Sequence, residues 1–93
     1  MDDNRIPRVN PDFGLEKSDD EILLYTKMGT KAVYLNETAF TVWQLCKEEL
    51  TLGEIIALLE QAYPEQASQI RSDVISALHL LEANNVIEWS DDK

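Results

Sequence analysis

The sequence predicts an α+β domain: a small three-stranded antiparallel sheet followed by three helices. Two observations carry that reading. Short runs with alternating apolar residues, separated by turn chemistry, occupy the chain up to Leu35. From Asn36 onward the apolar residues recur at spacings of three and four, with recognisable helix starts and stops. Strands first and helices after is the order of a domain whose layers segregate.

The elements follow in order. Met1 to Pro11 is charged, carries two prolines and has little periodicity, which suggests a flexible arm, docked loosely or not at all. Phe13 and Leu15 alternate with Gly14 and Glu16 as a first strand. Ser18-Asp19-Asp20 is turn chemistry, because short polar side chains bond their own backbone. Glu21 to Thr26 (EILLYT) is a second strand and Lys31 to Leu35 (KAVYL) a third. Lys27-Met28-Gly29-Thr30 supplies the glycine that closes a hairpin between them.

Asn36 can cap the first helix by accepting from a free amide of its opening turn. Glu37 then lies where the helix dipole favours negative charge. Ala39, Phe40, Val42, Trp43, Leu45 and Cys46 form a wide apolar stripe. Thr51 and Glu54 make a capping box, flanked by Leu50 and Ile55 in staple positions. Ile55, Leu58, Leu59 and Ala62 are the expected buried face of this second helix, which Tyr63-Pro64 ends. The third helix runs from about residue 66 or 68 to Asn84, with Ile70, Val74, Ala77, Leu78 and Leu81 on one face. Asn84-Asn85 can take the left-handed conformation that closes a helix. Val86 to Trp89 reads as a short extended piece. The expected organisation is an arm over residues 1–11, a domain over 12–89 and a disordered tail over 90–93.

Ninety-three residues make one domain, hiding roughly 60–65% of its unfolded surface on folding. With 44% hydrophobic residues the chain can build a core. Eighteen acidic residues against eight basic give a net charge of −10. A polyphosphate backbone attracts lysine and arginine clusters and repels such a surface, which argues against a nucleic-acid partner. One cysteine, Cys46, cannot form an intramolecular disulfide. The polar start MDDNRIPRVN has no apolar signal core, and no apolar run approaches the ~20 residues that span a bilayer. These features suggest a soluble cytoplasmic chain with no membrane partner.

Candidates for chemistry are few. His79 is the only histidine, and Glu82 lies one helical turn on. A metal site usually takes three or four ligands, and no second histidine or cysteine is near, so no metal or cofactor is expected. Cys46 falls on an apolar helix face and reads as core rather than nucleophile. Trp43 reads as core and Trp89 as a C-terminal clasp. No glycine-rich phosphate loop is present, and no catalytic residue is expected.

The order of landmarks from Ile22 to Ile87 resembles the PqqD family. The matching residues are Leu35-Asn36-Glu37-Thr38-Ala39, then Trp43-Gln44-Leu45-Cys46, then Thr51 with Glu54-Ile55-Ile56. Tyr63-Pro64, Asp73-Val74, Leu78 with Leu81, and Val86-Ile87 complete the set. The chain departs from the pattern at Lys47-Glu48, where such domains carry Asp-Gly, implying a longer or differently closed first helix. It departs again at Asn85, which stands where glycine is usual. The resemblance implies a winged-helix-like fold and a non-catalytic peptide chaperone. In such proteins the leader segment of a ribosomally made precursor peptide adds as a strand to the third strand and lies against the third helix. A partner enzyme, often a radical SAM protein, then modifies the held peptide.

Physical reasoning locates the site that this implies. The third strand runs straight into a helix, so its far side lacks a sequence-adjacent neighbour and offers amides and carbonyls to an incoming chain. With Val33 and Leu35 facing the core, Ala32 and Tyr34 face out. Four ladder bonds at ~0.5–1.5 kcal/mol each reach at best about 6 kcal/mol, short of the ~8 kcal/mol of a micromolar complex. Side-chain contacts must supply the rest. On the third helix Arg71, Ile75, Leu78 and Glu82 step along a stripe beside Val74 and Leu81, and Ile75 widens the apolar face beyond a narrow seam. The candidate peptide-binding residues are therefore Lys31, Ala32, Val33, Tyr34, Arg71, Val74, Ile75 and Leu78, with Arg71 meeting a carboxylate. The bland alternative leaves Ile75 packed on the second helix and Arg71 solvated. Two rival functions stay open: a winged-helix DNA-binding regulator, which the acidic third helix disfavours, and an adaptor subunit without a peptide substrate. An exposed strand edge could also pair with its own copy as a homodimer.

Overall fold

The structure, a computed structural model, describes residues 3–29 and 31–90. Its elements are β1 (Ile6–Val9), β2 (Phe13–Lys17), β3 (Ile22–Thr26), β4 (Ala32–Leu35), α1 (Glu37–Cys46), α2 (Leu52–Ala62), a 3-10 turn (Pro64–Gln66), α3 (Ala67–Ala83) and β5 (Ile87–Ser90). Strands β2, β3 and β4 form the expected antiparallel meander, with Leu24 opposite both Leu15 and Val33. The three helices follow it, so the α+β reading holds. Gly29 turns the β3–β4 hairpin at φ 72°, a conformation that costs glycine little, and its N–H donates to the Thr26 carbonyl at 2.8 Å. Thr30 of the expected turn lies outside the described residues.

The helix starts are built as the sequence suggests. Asn36 Oδ1 accepts from the Ala39 N–H at 2.8 Å. The α2 capping box is complete: Thr51 Oγ1 accepts from the Glu54 N–H at 3.1 Å, and Glu54 Oε1 accepts from the Thr51 N–H at 2.8 Å. Reciprocal satisfaction of orphan amides fixes where the helix begins. After Cys46 the chain continues through tight turns, and Glu49 closes them at φ 57°. Asn85 takes the left-handed conformation at φ 63°, and the Val86 N–H donates to the Leu81 carbonyl at 2.9 Å. The two positions that depart from the family pattern are thus both places where the chain reverses after a helix.

Two expectations are corrected. The N-terminal segment is not a loose arm over its described length. Strand β1 pairs with β5 as a second antiparallel sheet, from Ile6 opposite Ser90 to Val9 opposite Ile87. Ile6 is 1% exposed. The carbonyls of Arg5 and Asp3 accept from the Leu52 and Gly53 amides, each at 2.9 Å, satisfying donors that the first turn of α2 leaves orphaned. Ser90, expected in the tail, ends β5, while residues 91–93 lie outside the described residues, as do 1–2. The second correction concerns α2. Its buried residues are Leu52, Ile55 and Ile56, with Leu59 partly buried, whereas Leu58 is 45% exposed and Ala62 also faces out. The face is rotated from the expected one.

Helix α3 buries Ile70, Val74, Ala77, Leu78 and Leu81, as its spacing indicates. These close a core with Leu24, Val33 and Leu35 from the three-stranded sheet, Val42, Trp43 and Cys46 from α1, and Val86 and Ile87 near the C-terminus. Trp89 packs against that core, with the Arg5 guanidinium 5.1 Å from its ring centroid.

Candidate functional site

The hydrogen-bond parity of the meander shows which backbone groups are open. The Thr26 N–H donates to the Lys31 carbonyl at 3.0 Å, the Lys27 N–H to the Asp12 carbonyl at 3.0 Å, and the Ser18 N–H to the Glu21 carbonyl at 2.9 Å. Bonded and non-bonded pairs alternate along an antiparallel ladder. In the β3–β4 register, Val33 and Leu35 therefore turn their backbone groups toward β3. Ala32 and Tyr34 turn theirs outward, on a strand paired on one side only. The side chains alternate too: Val33 and Leu35 are buried, Ala32 is exposed and Tyr34 is 64% exposed.

Beside this edge runs α3, antiparallel to β4. Lys31 reaches across at one end, where its Nζ donates to the Asn84 carbonyl at 2.7 Å. A cation there also meets the negative end of the helix dipole. At the other end Asn36 and Thr38 line a depression with Asp73, Ser76, Ala77 and Leu80. A second depression joins Glu37 and Thr38 to Asp73, Ile70 and Tyr63. A third joins Tyr34 and Glu37 to Asp19, Asp20 and Glu21 in the β2–β3 turn. The three share Asn36, Glu37, Thr38 and Asp73 and so join into one groove around the start of α1, which Tyr34 enters from the open edge and Ala32 does not line.

The sequence-chosen residues divide between groove and core. Lys31, Ala32 and Tyr34 are at the edge. Val33, Val74 and Leu78 are 6%, 1% and 0% exposed, so they shape the walls from behind. Arg71 lies on the opposite flank of α3 from Asp73, about 200° around the helix at ~100° per residue. There its Nη2 and Nη1 donate to the two Asp3 carboxylate oxygens at 2.7 and 3.0 Å. That hydrogen bonding holds the Asp3 carboxyl below its ordinary range and raises Arg71. Ile75, half-buried, shares the Arg71 side of the helix, as does Glu82. The residues that sequence reasoning passed over are Asp73, Ser76, Ala77 and Leu80. Their mark appears only in the structure, where Leu80, a large apolar residue on this flank, is left 41% exposed.

The other candidates for chemistry sit elsewhere. Cys46 is buried, and burial pushes its thiol up to about 12, so the nucleophilic thiolate is not populated near neutrality. His79 is exposed. Among the described residues no group of three or more His, Cys, Asp or Glu side chains could hold a metal ion. No described helix is long and apolar enough to cross a membrane.

Comparison with known families gives a match that spans both walls of the groove. The sequence profile described as "Coenzyme PQQ synthesis protein D (PqqD)" matches residues 21–87. The chain belongs to the PqqD family. The match runs from β3 through β4 and all three helices to the first residue of β5. It leaves out β1 and β2, so the N-terminal clasp on α2 lies outside the matched region. Proteins of this family are generally non-catalytic chaperones associated with precursor peptides and the enzymes that modify them. Searches of curated proteins and of solved structures returned no match.

Proposed function

We propose that this PqqD-family chain binds the leader segment of a ribosomally synthesised precursor peptide and holds it for a modifying enzyme, itself performing no catalysis. The observation that carries the reading is the open edge of β4. Two successive outward-facing residues, Ala32 and Tyr34, offer four backbone groups in a family associated with precursor peptides. An extended peptide can satisfy all four by strand addition, and α3 supplies a second wall against which its side chains rest. In this family the enzyme that receives the peptide is often a radical SAM protein. Release and turnover fit a groove of this kind, because a few ladder bonds hold a peptide without trapping it.

An amide NMR titration with the N-terminal segment of a short peptide encoded beside this gene tests the proposal. Saturable shifts clustered on residues 31–36 and on 73–80 are expected. Shifts confined to β1, β5 or α2 would defeat strand addition at β4. If no amide responds to several candidate leaders, an adaptor role takes its place.

A further inference from the structure

We infer that the groove selects an extended peptide carrying a lysine or arginine where it passes Asp73, an inference that rests on the strand-addition reading above. The groove supplies the docking surface, and its charges specify the occupant. Asp73 and Glu37 line one depression together, and Asp19, Asp20 and Glu21 line the next with Glu37. Against these five carboxylates the same lining holds one amine, Lys17, whose Nζ sits 5.0 Å from the Phe40 ring centroid. Two further cations already have partners: Lys31, just before β4, donates to the Asn84 carbonyl, and Arg71 on α3 to Asp3. An acidic peptide would therefore meet five carboxylates against one amine in this lining. A cationic one finds Asp73, which is exposed and makes no hydrogen bond or ion pair among the described residues. Ala77 and Ser76 are small, so a side chain from the added strand can lie across α3 and bring its charged end to Asp73. Leu80, on the same flank, offers the apolar stem a surface, as long cationic side chains prefer. The net charge of −10 adds long-range attraction for such a peptide.

The test is display selection of random dodecapeptides on the full chain, followed by titration of an enriched synthetic peptide into wild type, Asp73→Lys and Glu88→Lys. Glu88 is exposed on β5, outside the groove, and its substitution changes the net charge equally. The expected result is enrichment of a basic residue at one fixed position, with amide shifts at Ala32 and Tyr34. Asp73→Lys should then weaken binding roughly tenfold and Glu88→Lys less than about twofold, since exposed charges act mainly at short range in salt. Circular dichroism checks that both variants fold. Peptides that shift Ala32 and Tyr34 without a shared basic residue, or equal losses in the two variants, overturn the selectivity and leave strand addition standing. No enrichment, or binding that leaves the β4 amides unmoved, overturns both.

Discussion

Replacing Ala32 by proline separates the open edge from the rest of the fold. The Ala32 N–H points away from β3, so Ala32→Pro removes a donor from the edge without removing a bond from the β3–β4 ladder. Proline is tolerated on edge strands where the missing N–H would face solvent. An added peptide gains four bonds at this edge, about 2–6 kcal/mol in total at ~0.5–1.5 kcal/mol each. Losing one donor leaves a peptide carbonyl unpaired in the interface, a cost of ~1–3 kcal/mol, or about fivefold to 150-fold in Kd. The assay is fluorescence anisotropy with a labelled leader peptide, paired with thermal melting of each variant. A destabilisation of ~1 kcal/mol would shift the Tm of a domain this size by ~4–8 °C, so the variant should melt within a few degrees of wild type. A variant that melts normally and binds within twofold of wild type would refute peptide pairing through the Ala32 amide.

Three further outcomes are expected. Lys31→Met removes the bond to the Asn84 carbonyl, a charge-assisted contact at a helix C-terminus worth ~1–2 kcal/mol; urea denaturation should show that loss, and amide shifts should spread from residue 31 to residues 84 and 85. Leu78→Ala should cost ~2–5 kcal/mol of stability, because Leu78 is fully buried; peptide affinity measured well below its Tm should change little, which separates core from groove. The Asp3 carboxyl is held below its ordinary value of 3.8 by hydrogen bonding to Arg71, so its contribution is present above that value and lost as pH falls through the lowered one. Asp3→Asn should therefore flatten the dependence of stability on pH below about 4, measured by denaturation from pH 2 to 6.

Much of this architecture is legible in local chemistry. Asn36, the Thr51–Glu54 box and the Ile70–Leu81 stripe each obey rules that involve residues a few positions apart, and the structure realises all three. What the sequence conceals depends on distant partners. Strand β1 has four residues, one of them proline, and its partner β5 lies some eighty positions away, so no local period marks it. In α2 nearly every side of the helix is apolar over Leu52 to Leu59, and periodicity cannot choose between two overlapping stripes. The groove illustrates the same limit more sharply. The α3 core face has two flanks, one with Arg71 and Ile75, the other with Asp73, Ser76 and Leu80. Both satisfy helical spacing equally well. Only the placement of the two ends of β4 against α3, with Lys31 at Asn84 and Asn36 beside Asp73, Ser76 and Leu80, shows which flank faces that strand.

The three-stranded sheet is asymmetric in a way that bears on its use. Open edges invite pairing with another chain, and charged residues along a strand are a common defence. The outer strand β2 carries Glu16 and Lys17, both exposed. Strand β4, of sequence AVYL, carries no charge at all. Its protection comes from position instead: it is short, it ends at Asn36 where α1 begins, and Lys31 ties its start to α3. Pairing of two β4 edges would bring together two chains of net charge −10, and repulsion acts within the ~8 Å over which salt leaves charges unscreened. The same carboxylates attract a cationic peptide. One charge distribution thus opposes self-association at the uncharged edge and, on the proposed reading, favours a cationic peptide there.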